Sequence, residues 1–370
     1  MDRCRGCLNT RATSKTVRMK KELLMTEDGY EIYREAGVPQ SALDLLLENS
    51  IGSAGLVYEH LNTPEHVSQL SNPTTISLQK SGRMLGIGIF CQVEVKVRQH
   101  AYNCYYVRYF SASQSIRGHG LMKKFGEKAM KLIRESENIP TIFYASIENM
   151  NISSFKVVSN SGYRTIRNIS TIGLSRFFPK KSSKIKKAET GAEKASILDH
   201  LTAFYSGHSM VQFTKIFHQN DYYYLEENGE MVAGMQVHRI NWRVKKMPGL
   251  SGKIILNVVP HVPLINRVFN PRKFDFLALE GIWFKPGHEQ HFHQLLEGLL
   301  AENKLHTALW WMDESCPVLQ QLKQYGQFGF IHPFTKNAGT HIMASTNKLS
   351  QEEIKMLEES PVYVSAFDFT

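Results

Sequence analysis

The sequence predicts a mixed α/β fold built twice in tandem, and three observations carry that prediction. Strand-like and helix-like stretches alternate along most of the 370 residues, with a hairpin early in each half. A constant shift of 167 positions carries Gly120 onto Gly287, Phe125 onto Phe292, Leu132 onto Leu299, Ile133 onto Leu300, and Gly162-Tyr163 onto Gly329-Phe330. A strand-like run at residues 105–110 ends in a polar loop closed by Arg117-Gly118-His119-Gly120, and a helical pattern starts at once.

In chain order, residues 1–25 read as a basic arm. Residues 41–49 read as a helix capped by Ser41, with Leu43, Leu46 and Leu47 on one face. Residues 75–79 and 84–97 flank a Ser81-Gly82 turn, as a hairpin requires. Tyr105, Val107 and Tyr109 alternate with Tyr106, Arg108 and Phe110, all β-favouring types in a half-buried strand. From Leu121 the apolar residues Phe125, Ala129, Leu132 and Ile133 keep helical spacing to about Glu135. A buried strand (141–146), a helix opened by Asn151 and closed near Ser161-Gly162, and a strand (163–174) complete the first copy.

Residues 177–193 hold a proline, serines and a lysine cluster, and read as a linker. The pattern then returns as a helix (196–205) and a hairpin turned by Asn228-Gly229, a strong hairpin signal. A strand (275–284), a helix (288–301), a strand (307–312), a helix (318–325) and a strand (341–345) follow. The closing residues 361–370 are strand-like in composition. The expected division is therefore an arm (1–25), a first domain (26–176), a linker (177–193) and a second domain (194–370).

A hydrophobic content of 42% with 21% charged residues fits a globular chain rather than a disordered one. No apolar run approaches the ~20 residues that cross a bilayer, and no secretory signal opens the chain, so no membrane partner and a cytoplasmic location are expected. Five cysteines, an odd number, suit a reducing compartment. Cys4 and Cys7 form a lone CxxC with no second pair nearby, and no metal is expected. The net charge of +10 admits a nucleic-acid partner, but the basic residues are dispersed outside the arm and residues 180–187, and no nucleic-acid module is visible.

The Gly118/Gly120 junction carries the chemistry. Glycines let the backbone turn and approach a ligand closely, and the first N–H groups of a helix make an anion site suited to pyrophosphate. The stretch Ser115-Ile116-Arg117-Gly118-His119-Gly120, with Asn151 and Gly162-Tyr163 eleven and twelve residues beyond it, resembles the GCN5-related N-acetyltransferases over about residues 41–174. Ser115 departs from the family's arginine or glutamine, at small cost to a loop that grips through backbone N–H groups. The resemblance implies two tandem domains of this family, each a mixed twisted sheet flanked by helices, and acetyl-coenzyme A as co-substrate. Phe110, Ser111 and Ala112 would run beside the pantetheine arm, with the Ala112 N–H near the thioester carbonyl. Ile116, Arg117, Gly118, His119, Gly120 and Leu121 would hold the pyrophosphate, and Asn151 would touch the pantetheine or simply cap its helix.

Val158 stands where the family often has a tyrosine that protonates the leaving thiolate. The second copy has Tyr325 at that position, but Lys285-Pro286-Gly287 replaces its cradle, and proline has no N–H. Only the first copy is expected to bind cofactor, with Tyr325 a packed aromatic. Glu94, on the hairpin strand before the cofactor strand, is the candidate general base. The expected activity is acetyl transfer to an amine of a small molecule or a protein, the acceptor pocket being built by residues 48–73. The alternative is an acyl-CoA-binding sensor without turnover.

Overall fold

The computed structural model describes residues 21–53, 56–335 and 338–370. The first half opens with the hairpin β1 (Lys21–Glu27) and β2 (Tyr30–Ala36), then α1 (Gln40–Leu47), the short pair β3 (Ile51–Ser53) and β4 (Leu56–His60), and α2 (Thr63–Ser68). It continues as β5 (Pro73–Lys80), β6 (Arg83–Val97), β7 (His100–Ala112), α3 (Leu121–Ser136), β8 (Thr141–Glu148), α4 (Ile152–Asn160) and β9 (Arg164–Ser175). The second half runs β10 (Ile185–Lys187), α5 (Gly191–Phe204), β11 (Tyr222–Glu227), β12 (Glu230–Lys246), α6 (Gly249–Val258), α7 (Pro263–Val268), β13 (Phe274–Phe284), α8 (Glu289–Glu302) and β14 (Thr307–Asp313). It closes with α9 (Pro317–Tyr325), α10 (His332–Thr335), β15 (Thr340–Asn347), α11 (Gln351–Glu359) and α12 (Ala366–Phe369).

The fold is mixed α/β, as the sequence predicts. Both hairpins turn on a pair of residues with positive φ, Ser81-Gly82 and Asn228-Gly229, which matches the strand twist. Helix α3 buries Phe125, Ala129, Met130 and Ile133 against Tyr105, Val107, Phe143 and Ala145 of β7 and β8. Its counterpart α8 buries Phe292, Leu295, Leu296 and Leu299 against Leu277, Ala308 and Trp310 of β13 and β14. The opposite face, which includes Tyr106, Tyr144, Phe276, Ala278 and Trp311, forms one core running through both halves.

The repeat is marked at a finer level by one bulge present twice. Gly88 of β6 stands opposite two residues of β7, Tyr109 and Phe110, and Met235 of β12 opposite Gly281 and Ile282 of β13. Tyr109 (φ 52°) and Gly281 (φ 53°) share the left-handed conformation that makes the extra residue fit. The halves differ where α6 and α7 stand between β12 and β13, whereas β6 and β7 join by a tight turn.

Several sequence expectations are corrected. The halves are not separate sheets: the described strands form one fifteen-stranded sheet, in which β15 lies between β8 and β9, and β9 pairs with β14. Each half's last strand therefore completes the other's sheet. Lys21–Met25, assigned to the arm, begin β1; residues 1–20, with Cys4 and Cys7, lie outside the described residues. The linker contains β10, whose lysine-rich neighbourhood is neutralised by ion pairs from Lys184, Lys186 and Lys187 to Glu227, Glu226 and Asp221. Pro39, not Ser41, precedes the first turn of α1. The shift of 167 holds across α3/α8 and β8/β14 but places Gly329-Phe330 ahead of α10 rather than of the last strand. The closing segment makes one bridge, Val362 with Ser209, and the short helix α12 instead of a strand.

Candidate active site

Strands β7 and β8 run parallel and paired from Asn103/Thr141 to Val107/Ala145, where the pairing stops. β7 continues to Ala112 and β8 to Glu148, so the two strands open into a V. On its far side β7 stays bonded to β6, and Ser113 N donates to Leu85 O at 2.8 Å. Backbone N–H groups alternate sides along a strand, so the Ala112 N–H points away from β6, into the V.

Beyond Ala112 comes a turn of 3₁₀ helix (Gln114–Ile116), then the loop to α3. Gly118 (φ 81°) and Gly120 (φ 69°) hold the left-handed conformation, and a Cβ at either would meet nothing within 4 Å. Gly120 is the N-cap of α3, with no side chain on the helix's first N–H groups. Arg117, Gly118, His119 and Gly120 are exposed, whereas Ile116 is buried and pins the loop to the core. The loop is thus an open, anion-ready cradle at the mouth of the V. Its glycines fit a diphosphate, because they leave room for an anion to reach the backbone closely.

The sequence-predicted residues divide as follows. Phe110 lies in the V, with its ring seated against Gly88 and Gly126, where a Cβ would come within 3.1 and 2.7 Å of it. Ser111 and Ala112 are tied to Asn49 at the end of α1, whose Nδ2 donates to Ser111 Oγ at 2.7 Å and to Ala112 O at 3.2 Å. Arg117 donates to Asn49 Oδ1 and, at 3.4 Å, to Ala112 O. Leu121 opens α3. Asn151 caps α4, its Oδ1 accepting from Ser154 N at 3.1 Å. Val158 is buried in the core under α3. Tyr325 stacks on His293 with ring centroids 5.1 Å apart.

Glu94 is corrected. It pairs with Asn103, eight residues along β6 from Gly86, the partner of Ala112. At about 3.3 Å per residue that is roughly 26 Å along the strand from the Ala112 position, and the side chain is exposed at the opposite end of the hairpin.

The carboxylate that the fold brings to the V is Glu148, three residues beyond the last paired position of β8. It shares a sheet face with Tyr144, away from α3 and α4. Tyr58 of β4 donates to Glu148 Oε1 at 2.9 Å. Burial raises the carboxyl above its ordinary value, and the Tyr58 bond only partly offsets this. Tyr58 stacks on Trp242 (4.6 Å), which stacks on His60 (5.3 Å). Burial drives the His60 imidazole down to about 3, so it is neutral. Neither His60 Nε2 nor Trp242 Nε1, both buried, finds a hydrogen-bond partner among the described residues.

Deeper on the same face the closing segment packs against β7. Arg108 donates to Phe367 O at 2.8 Å and to Thr370 O, Tyr106 donates to Asp368 O at 2.8 Å, and Tyr144 donates to Asp368 Oδ2 at 3.1 Å. Burial pushes Asp368 up to about 6, held back by Arg108.

No known family profile and no curated protein matches this sequence. Among solved structures, the chain resembles the N-myristoyltransferase of Saccharomyces cerevisiae with bound myristoyl-CoA, with a TM-score of 0.57 at 7% identity over 94% of this chain and 92% of that one. The same yeast enzyme with bound myristoyl-CoA and inhibitors gives 0.56 at 8% identity over 94% and 89%. A GCN5-related N-acetyltransferase from Sphaerobacter thermophilus gives 0.48 at 9% identity over 87% and 97%. The chain has the fold of the yeast enzyme along nearly its whole length.

Proposed function

We propose that the chain is an acyl-CoA-dependent N-acyltransferase whose first half holds the thioester and passes its acyl group directly to an amine. One observation carries this reading: β7 parts from β8 at Val107/Ala145 and runs straight into the exposed Gly118/Gly120 cradle at the start of α3. A thioester tail lying in the V would place its diphosphate at that cradle. The likeness to an enzyme solved with myristoyl-CoA supports an acyl-CoA in general; acetyl-CoA is the chain length that the loop resemblance favours.

The chemistry needs alignment, charge stabilisation and removal of a proton from the amine. The amine nitrogen bonds to the thioester carbon, and the C–S bond breaks. The Ala112 N–H faces the place where the carbonyl oxygen would gain charge. Glu148, raised by burial and held by Tyr58, takes the proton from the attacking amine. The Tyr58–Trp242–His60 stack, with its unpartnered His60 and Trp242 nitrogens, forms the wall against which the acceptor sits. The tetrahedral intermediate expels the thiolate far more readily than the amine nitrogen, and the thiolate then takes its proton from water, so Val158 in the usual acid position does not block turnover.

Calorimetry with acetyl-CoA and with a long-chain acyl-CoA tests the reading, paired with transfer to a panel of amines. Binding of either thioester is expected, and Gly120→Trp removes it, because tryptophan at φ 69° is strained and fills the cradle. No binding at millimolar thioester overturns the proposal. The second reading, a sensor without turnover, is favoured by Val158 alone. Binding without transfer to any amine would establish it.

A further inference from the structure

The helical insert that breaks the repeat has a surface the core does not explain. Residues 243–273 carry Arg243, Lys245, Lys246, Lys253, Arg267, Arg272 and Lys273, and no aspartate or glutamate. Arg243 and Lys245 share Glu59, and Lys273 meets Asp275. Lys246, Lys253, Arg267 and Arg272 form no ion pair among the described residues. Within this basic field α6 presents Leu250 (79% exposed), Ile254 (59%) and Val258 (50%) at four-residue spacing, one side of a helix. Leu264 of α7 (50%) adds to them. The opposite side of α6 is the packed one: Gly252 is buried against Met247, where a Cβ would come within 2.6 Å of its backbone.

We infer that this insert is a docking face for an anionic lipid surface, lying in the interface with Leu250, Ile254, Val258 and Leu264 in the acyl boundary and the four cations without an acidic partner at the headgroups. The pattern is that of an interfacial helix: an apolar stripe, basic flanks and no acidic residue. No described helix is long and apolar enough to cross a bilayer. The lack of a run of ~20 apolar residues bears on crossing a bilayer, not on a ten-residue stripe lying in its interface. The charge pattern selects lipid over a protein partner, because residues 243–273 hold no acidic residue and the neighbouring Glu59 and Asp275 are already paired to Arg243, Lys245 and Lys273.

The insert also adjoins the V. β12, which leads into it, pairs with β4 through Trp242/His60 and Val244/Tyr58, and Tyr58 reaches Glu148.

The test is sedimentation of the full chain with phosphatidylcholine vesicles, with and without phosphatidylserine. The wild-type chain is expected to pellet with the anionic vesicles only, and less as salt rises. Two variants decide the matter, because the basic residues 1–20 could also bind lipid. Leu250→Asp/Ile254→Asp and Lys246→Glu/Lys253→Glu/Arg267→Glu should each lose at least ten-fold in partitioning while their thermal melts by circular dichroism stay unchanged. Removal of one cation is worth about five-fold. Failure of the wild-type chain to pellet, or wild-type pelleting by either variant, overturns the proposal. So does a soluble dimer in light scattering that the apolar variant dissolves, which would assign the face to a second copy of the chain. None of these readouts depends on acyl transfer.

Discussion

The chain contains the same strand fork twice and uses it in opposite ways. In the first half β7 and β8 part after Val107/Ala145; in the second, β13 and β14 part after Ala278/Leu309. The first fork opens into the glycine cradle. The second is filled from within. Tyr205 donates to Ile282 O and Tyr222 to Gly281 O, each at 2.8 Å, and Ile216 sits where a Cβ on Gly281 would be. The closing segment then lies across the sheet, with Ser365 Oγ (2.7 Å) and Tyr363 OH (3.3 Å) on Glu280 Oε1 and Phe367 N on Oε2 (3.4 Å). His238 Nε2 reaches the same Oε2 at 2.8 Å, and Asp313 Oδ2 accepts from Val362 N at 2.8 Å. A fork is a set of backbone groups that lost a strand partner, and burial demands that something replace it. The second fork is closed by the protein's own hydroxyls on backbone carbonyls; in the first, Asn49 and Arg117 reach Ala112 O, and the glycine loop beyond it stays exposed.

That contrast predicts opposite fates for the acidic residue in each fork. Glu280→Ala removes the acceptor for four donors in the core, and a loss of roughly 3–5 kcal/mol is expected in urea unfolding. Glu148→Gln should leave stability at neutral pH no lower than wild type. Its folded-state pKa lies above the unfolded one, so the folded chain holds that proton more firmly. The resulting stability is present at low pH and is lost as pH rises through the folded value; the amide flattens this dependence. The same variant should cost on the order of 10²-fold in kcat and remove the acidic limb of the rate profile, with thioester binding intact. If Glu148→Gln unfolds the chain or Glu280→Ala leaves it untouched, the two forks are not used as described.

Much of this was readable before any coordinates, and the rest was hidden for definite reasons. α3 announced itself through Phe125, Ala129 and Ile133, and the cradle through glycines that only a tight turn requires. The exchange of β9 and β15 left no trace, since an alternating strand looks the same whichever neighbour it pairs with. The segment at 361–370 looks extended because it is rich in β-branched and aromatic residues. Its Ser365, Tyr363 and Phe367 are committed to Glu280, and tertiary bonds override that local preference. The sequence does not single out Glu148 at the V, because its environment comes from Tyr58, ninety positions away. A signal did exist: an acidic residue at the end of a strand, three positions before the cap at Asn151.

The smallest effect sharpens the comparison at that cap. Asn151 of α4 spends its Oδ1 on Ser154 N, whereas Cys316 precedes α9 in the second half with no side-chain cap bond. Asn151→Ala should cost about 1 kcal/mol in unfolding, and Asn151→Ser, which keeps a capping oxygen, a few tenths. Calorimetry separates capping from ligand contact. If Asn151 only caps, the serine variant binds thioester as the wild type does. If its free amide nitrogen also touches the pantetheine, serine restores stability but not affinity, since a hydroxyl on a shorter stem cannot reach where the amide did. The first fork's edge would then bind through a side chain as well as through its backbone, a role for which the second fork, with Cys316 before α9, carries no amide side chain.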